Sequence, residues 1–136
     1  KEVRMAFWLY QMSAKEWSHG RYRAEVWEGN DTTWDTKKIA PAGSSPELGD
    51  VVVLFYAPTV SKDPGVYGWA IVLWCDGEEI RFRPASPSDH LKMNPLWDDR
   101  VGAIIDQIRG KVAQGTMWKI PIDLMGLLRQ AITQHV

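Results

Sequence analysis

Eight tryptophans, Trp8, Trp17, Trp27, Trp34, Trp69, Trp74, Trp97 and Trp118, stand in a chain of 136 residues. Indole offers a flat apolar face and one N–H donor, so its chemistry is packing, stacking and edge recognition rather than proton or electron transfer. The residue types that could do harder chemistry are sparse. His19, His90 and His135 are scattered with no helical His pair, and Cys75 is the only cysteine, whereas a zinc site needs convergent His, Cys or carboxylate ligands. Cys75 cannot pair internally and reads as a small buried hydrophobe. Asp98 and Asp99 are adjacent, which points their side chains in different directions on a helix, and acids in a first turn are partners of the helix dipole. Walker and dinucleotide-binding glycine loops and the nucleophile elbow are all absent. Binding by aromatic faces is therefore the chemistry to follow, and neither metal nor cofactor is expected.

Charge narrows the partners. The chain carries 16 Lys and Arg against 17 Asp and Glu, a net charge of -1, so attraction to nucleic acid has to come from a local patch rather than from the whole molecule. At this length a single domain spanning residues 1–136 is expected, with a core large enough to stand without disulfides. No apolar run approaches the roughly 20 residues of a membrane span, and Lys1 to Arg4 lacks a signal-peptide core, so a cytoplasmic location is expected.

The elements that must position the aromatics follow from pattern. Met5 to Met12 is a short apolar run suited to a strand buried on both faces, and Asp31 to Ile39 reads as a short strand or extended edge around Trp34. Val51 to Tyr56, entered through Gly49 and Asp50, is the strongest strand signal. Val66 to Cys75 is a second buried strand, in which Gly68 marks a bulge or a close approach. Asp76 and Gly77 supply a hairpin turn into a half-buried return strand at Ile80 to Arg83. Asn94 and Pro95 open a helix running to Arg109, its core face Val101, Ile104, Ile105 and Ile108, with Gly110 as its stop. Thr116 to Ile120 is a short strand, and Pro121 begins a last helix with Leu124, Leu127, Leu128 and Ala131 on one face. The sum is an α+β domain: a curled, mostly antiparallel sheet or partial β-barrel with flanking helices. Within it Trp8, Trp69, Trp74 and Trp118 fall in apolar strand patterns and are expected in the core, while Trp27 is unassigned.

The order of these motifs resembles the EVE domain of the PUA-like superfamily, a relative of the YTH domain. The resemblance rests on the opening strand with Trp8 and Leu9, the TTWDTKKI segment around Trp34, the ELGDVVVLFY strand, and GVYGWAIV with Gly65, Tyr67 and Gly68. It runs from about Phe7 to Pro121. Two stretches depart from it: Gln11, Met12, Ser13 and Ala14 replace a Lys-Ser-Glu-Pro sequence, and Asp35 to Lys38 replace an Arg-Asn pair.

The resemblance implies a binding module that holds a modified, methylated base, flipped from DNA or RNA, in an aromatic cage. An unstacked base needs apolar faces to replace its lost neighbours, and stacking returns roughly 1–3 kcal/mol per base. Trp34 matches the family's motif position and is the first cage candidate; Trp17 and Trp97 join it because loop and cap positions can face a cleft. Ser13, Asp35 and Thr36 are the candidate readers of a base edge. Lys15, Lys37, Lys38, Arg81 and Arg83 are the candidate contacts to the nucleic-acid backbone, with ordinary solvated surface as their alternative. Two other functions are carried beside this one. An ASCH-type enzyme on modified nucleosides would use Lys15, Asp35 and Thr36, and a protein-interaction domain would present exposed tryptophans to a partner.

Overall fold

In the computed structural model the described residues are 5–12, 31–36, 38–58, 64–84, 98–110 and 117–133. Seven strands and two helices lie within them: β1 (Phe7–Met12), β2 (Thr32–Asp35), β3 (Ile39–Ala40), β4 (Val51–Tyr56), β5 (Gly65–Cys75), β6 (Glu79–Pro84), α1 (Asp99–Arg109), β7 (Met117–Ile120) and α2 (Ile122–Thr133). The sheet order is β2-β6-β5-β4-β1-β7-β3. Four of its pairings are antiparallel, while β1–β4 and β3–β7 are parallel.

The curl of this sheet follows from chain length alone. β2 and β3 are the two outermost strands in the order, and a flat seven-stranded sheet would hold them about 29 Å apart at roughly 4.8 Å per strand. Yet only residues 36–38 connect Asp35 to Ile39, a reach of at most about 15 Å at 3.8 Å per residue. The sheet has to bend until its edges approach one another. The Thr36 N–H donates to the Glu78 carbonyl beside β6 at 2.7 Å, and the Lys38 carbonyl accepts from Met117 of β7 at 3.1 Å, so this connection links the two sides of the barrel.

Bending divides the core in two. Trp8, Tyr10, Met12, Val52, Leu54, Tyr56, Ile80 and Phe82 belong to the cluster inside the barrel. Leu9, Val53, Phe55, Trp118 and Ile120 face outward instead, and there they meet Val101, Ile104, Ile105 and Ile108 of α1 with Met125, Leu128 and Ala131 of α2. This is why β1 and β4 read as continuous apolar runs: each alternate residue serves a different core.

Several sequence expectations shift by a few residues. α1 begins at Asp99 rather than Pro95, because Asp98 is itself the N-cap, its carboxylate accepting the Val101 N–H at 2.8 Å; Asn94 lies outside the described residues. Gly110 does end α1, at φ 54°. On α2 it is Met125 that is buried, while Leu127 is 49% exposed. The Asp31 to Ile39 stretch is two strands with different neighbours, not one. The hairpin loop sits one residue later, at Gly77 and Glu78, since the Asp76 N–H reaches the Glu79 carbonyl.

Trp74 is the largest correction. Trp8 and Trp118 are buried as expected, but Trp74 is 42% exposed. The β5–β6 register shifts between Val72 and Trp74, placing Leu73 as an extra residue opposite the regular β6 strand. Strict alternation after Ala70 and Val72, both interior, would turn Trp74 inward; the bulge reverses the phase, so Cys75 packs against the interior and Trp74 faces out. A second register shift, where Leu54 meets Gly68 and Phe55 meets Val66, is the irregularity expected at Gly68.

Candidate nucleic-acid-binding site

The Gly-Asp entry to β4 organises the end of the barrel where β1 starts. Gly49 takes φ +91°, a conformation costly for other residues, and delivers Asp50 with its side chain buried. The carboxylate accepts the Ala6 N–H on Oδ1 at 3.0 Å, and on Oδ2 both the Trp8 Nε1–H at 3.0 Å and the Glu47 N–H at 2.9 Å. A buried carboxylate is tolerated only when such donors replace its water. Asp50 therefore ties β1, β4 and the preceding loop together and fixes the Trp8 ring.

Trp34 sits at the other edge of the interior. β2 pairs with β6 in the register Thr32↔Phe82, Thr33↔Arg81, Trp34↔Ile80 and Asp35↔Glu79, so Thr32 and Trp34 point inward and Thr33 and Asp35 outward. The indole is 2% exposed. Its ring centre lies 5.1 Å from Tyr10, tilted by 45°, and 4.8 Å from Phe82 in an edge-on contact at 81°. Tyr10 also donates its hydroxyl to the Asp35 carbonyl at 2.6 Å, which holds the end of β2 against β1. The three rings thus form one packed aromatic group inside the barrel. Tyr10 and Phe82, which sequence reasoning did not single out, are its other members; their alternation within β1 and β6 was the available signal.

Thr36 follows directly and is 2% exposed. Its backbone N–H is used by Glu78, but its hydroxyl Oγ1 is buried with no hydrogen-bond partner among the described residues. Within the same interior cluster, burial raises the Tyr56 phenol above its usual range, and electrostatic interaction with the Tyr67 phenol, whose ring lies 5.0 Å away, adds to the shift.

The remaining expected site residues divide between two outcomes. Ser13, Lys15, Trp17, Lys37 and Trp97 lie outside the described residues. Lys38 is exposed beside β3. The Asp35 carboxylate faces outward, and only its carbonyl turns toward the interior group. Arg81 and Arg83 also face outward from β6. Arg81 donates to the Thr33 hydroxyl at 2.9 Å. Arg83 grips Asp31 through two bonds, Nε to Oδ1 at 3.0 Å and Nη2 to Oδ2 at 3.1 Å. That pairing holds the Asp31 carboxyl below its usual range and raises Arg83. No group of three or more His, Cys, Asp or Glu side chains placed to hold a metal occurs among the described residues, and no described helix is long and apolar enough to cross a membrane.

No family model matches the chain, and no curated protein matches it. Solved structures do. A hypothetical protein from Leishmania major superposes with a TM-score of 0.63 at 13% identity, covering 98% of each chain. Human THYN1 protein, solved in complex with 5-methylcytosine-containing DNA, gives 0.59 at 10% identity, covering 93% of this chain and 97% of that one. The fold is PUA-like. The N-terminal domain of McrB from Thermococcus gammatolerans, bound to m5C DNA, gives 0.51 at 9% identity, covering 96% and 99%. At such identities the likeness is one of architecture. The aromatic group around Trp34 rests on the β2–β6 register of this chain and on Tyr10.

Proposed function

We propose that this chain is an EVE-type module that binds DNA carrying a methylated cytosine, with the modified base flipped from its strand into a pocket at the Trp34 end of the barrel. The observation that carries the reading is that two proteins sharing the fold over 93% and 96% of this chain are bound to 5-methylcytosine DNA. The interior chemistry supports it. Extruding a base costs a few kcal/mol, and the return comes from aromatic packing and from hydrogen bonds to the base edge. Trp34, braced by Tyr10 and Phe82, forms the floor of the pocket, and Trp17 and Trp97 supply stacking faces. The Thr36 hydroxyl, buried and without a partner among the described residues, reads the base edge together with Ser13 and the Asp35 carbonyl. A buried polar atom left unsatisfied costs about 1–3 kcal/mol, and a base edge relieves that cost. Lys15, Lys37 and Lys38 contact phosphates; the Arg81 and Arg83 side chains are already engaged by Thr33 and Asp31.

The test is fluorescence anisotropy with an oligonucleotide carrying one 5-methylcytosine and its unmodified twin, as DNA and as RNA, at several salt concentrations. Burying the methyl group is worth about 0.8 kcal/mol, so methylated DNA binds about fourfold more tightly or better. The ratio stays constant as salt weakens both, because phosphate contacts are common to the pair. Equal affinity of the two at every salt concentration removes the modified-base reading and leaves association by charge.

A further inference from the structure

Among the described residues, helices cover the outer face of the sheet on one side only. α1 and α2 pack over β1, β4, β7 and the first residues of β5. Beyond that, no described helix covers the second half of β5, β6 or β2. Here the β5 bulge turns Trp74 outward, and Trp74 and Ile71 are 42% and 38% exposed.

The register arranges this face in rows. Trp74, Arg81 and Thr33 lie side by side across β5, β6 and β2; Ile71 and Arg83 form the next row, with Asp31 bonded to Arg83. At the hairpin end the row is acidic. Asp35 lies directly opposite Glu79, Asp76 pairs with Glu79 through the backbone, and Glu78 is exposed in the turn. Directly opposed side chains on a strand pair stand only about 4.5–5.5 Å apart, and like charges there are destabilising. The Asp76 carboxyl is held ionised by the N–H groups of Glu79 and Glu78, at 2.8 and 2.9 Å. Five carboxylates, Asp31, Asp35, Asp76, Glu78 and Glu79, stand against two guanidiniums, Arg81 and Arg83, a local charge of -3 in a chain whose total is -1.

We propose that the Trp74–Ile71 face of β5 and β6 is a docking surface for a cationic protein segment, in which Lys or Arg alternates with apolar side chains. The charge pattern selects this occupant. Nucleic acid would meet the acidic row with like charge, and a second copy would bring one negative face against another. A cationic segment relieves the Asp35–Glu79 opposition, lays an Arg or Lys over the exposed Trp74 ring, and seats its apolar residues on Ile71. The surface is separate from the proposed base pocket, so the molecule would hold DNA and a protein partner on different faces.

A short fluorescent peptide of alternating Arg and Leu, titrated into the full chain, is the probe, with a Glu–Leu peptide as its counterpart. The Arg–Leu peptide binds and the Glu–Leu peptide does not. Trp74→Ala weakens the Arg–Leu peptide by about fivefold and Trp74→Phe by less, in keeping with an exposed cation–aromatic contact. Glu78→Gln combined with Glu79→Gln weakens it further and flattens its salt dependence. All three variants are at exposed positions, and circular dichroism checks their folds. Equal binding of the two peptides, or Arg–Leu binding indifferent to both the Trp74 and the glutamate variants, overturns the proposal. Self-association that is abolished by Trp74→Ala overturns it in favour of a second copy, and oligonucleotide binding lost in Trp74→Ala overturns it in favour of nucleic acid.

Discussion

Asp50 gives the sharpest test of how this barrel is held. Its carboxylate receives three N–H donors, from Ala6, Glu47 and the Trp8 indole, at 2.9–3.0 Å. In Asp50→Ala all three lose their acceptor. The Trp8 donor is wholly buried, while the two backbone donors are partly so. At about 1–3 kcal/mol for each buried orphan and less for the others, the loss is about 3–5 kcal/mol. For a domain of this size that lowers Tm by roughly 10–15 °C. Asp50→Asn retains one acceptor oxygen, which serves the two donors on Oδ2, but sets an amide N–H against the Ala6 N–H, so its loss is about half as large. Trp8→Phe leaves the carboxylate two donors, and the Asp50–Trp8 pair should show coupling in a double-mutant cycle of about 1–2 kcal/mol. Urea unfolding with constant m-values is the assay. If Asp50→Ala lies within about 1 kcal/mol of the native protein, or Asp50→Asn is as damaging as Asp50→Ala, the carboxylate does not organise the β1–β4 junction.

Thr36→Val removes a buried hydroxyl that has no partner among the described residues; unfolding should show it more stable by about 1 kcal/mol, while its discrimination between methylated and unmodified DNA falls. Trp34→Ala empties the space between Tyr10 and Phe82 and should cost about 3–5 kcal/mol in the same assay, as large cavities in rigid cores do. Asp98→Ala deprives the Val101 N–H of its cap, a loss of about 1 kcal/mol seen by thermal melting. Asp31 titrates below its ordinary value of 3.8 because of its bonds to Arg83. A carboxyl depressed in the folded state stabilises above its unfolded value and loses that contribution as pH falls through the depressed one. Acid unfolding followed below pH 3.8 should therefore be less steep in Asp31→Asn than in the native protein.

What the sequence makes legible here is whatever a local rule controls. The spacing of Val101, Ile104, Ile105 and Ile108 marks the buried face of α1 because 3.6-residue periodicity needs no knowledge of the rest of the chain. The apolar run of β4 marks a strand with two buried faces for the same reason. Pairings between distant segments escape such rules, which is why the parallel contacts of β1 with β4 and β3 with β7, and the division of Asp31 to Ile39 into two strands on opposite edges, become visible only in the fold. The surroundings of Trp34 and Trp74 likewise depend on the rest of the chain. Trp34 lies in a polar, β-branched segment, and the closing of the barrel carries it inside against Tyr10 and Phe82. Trp74 lies in an apolar strand that looks buried, but one extra residue at Leu73 reverses the alternation and turns it to solvent. A bulge leaves no compositional trace in VLWC, because each of those residues suits either face of a sheet. The two rings therefore lie on opposite faces of the sheet, Trp34 inside and Trp74 outside. Under the proposed function Trp34 forms the floor of a base pocket, and under the proposed docking Trp74, next to the acidic row of Asp35, Glu79 and Asp76, receives a cationic partner.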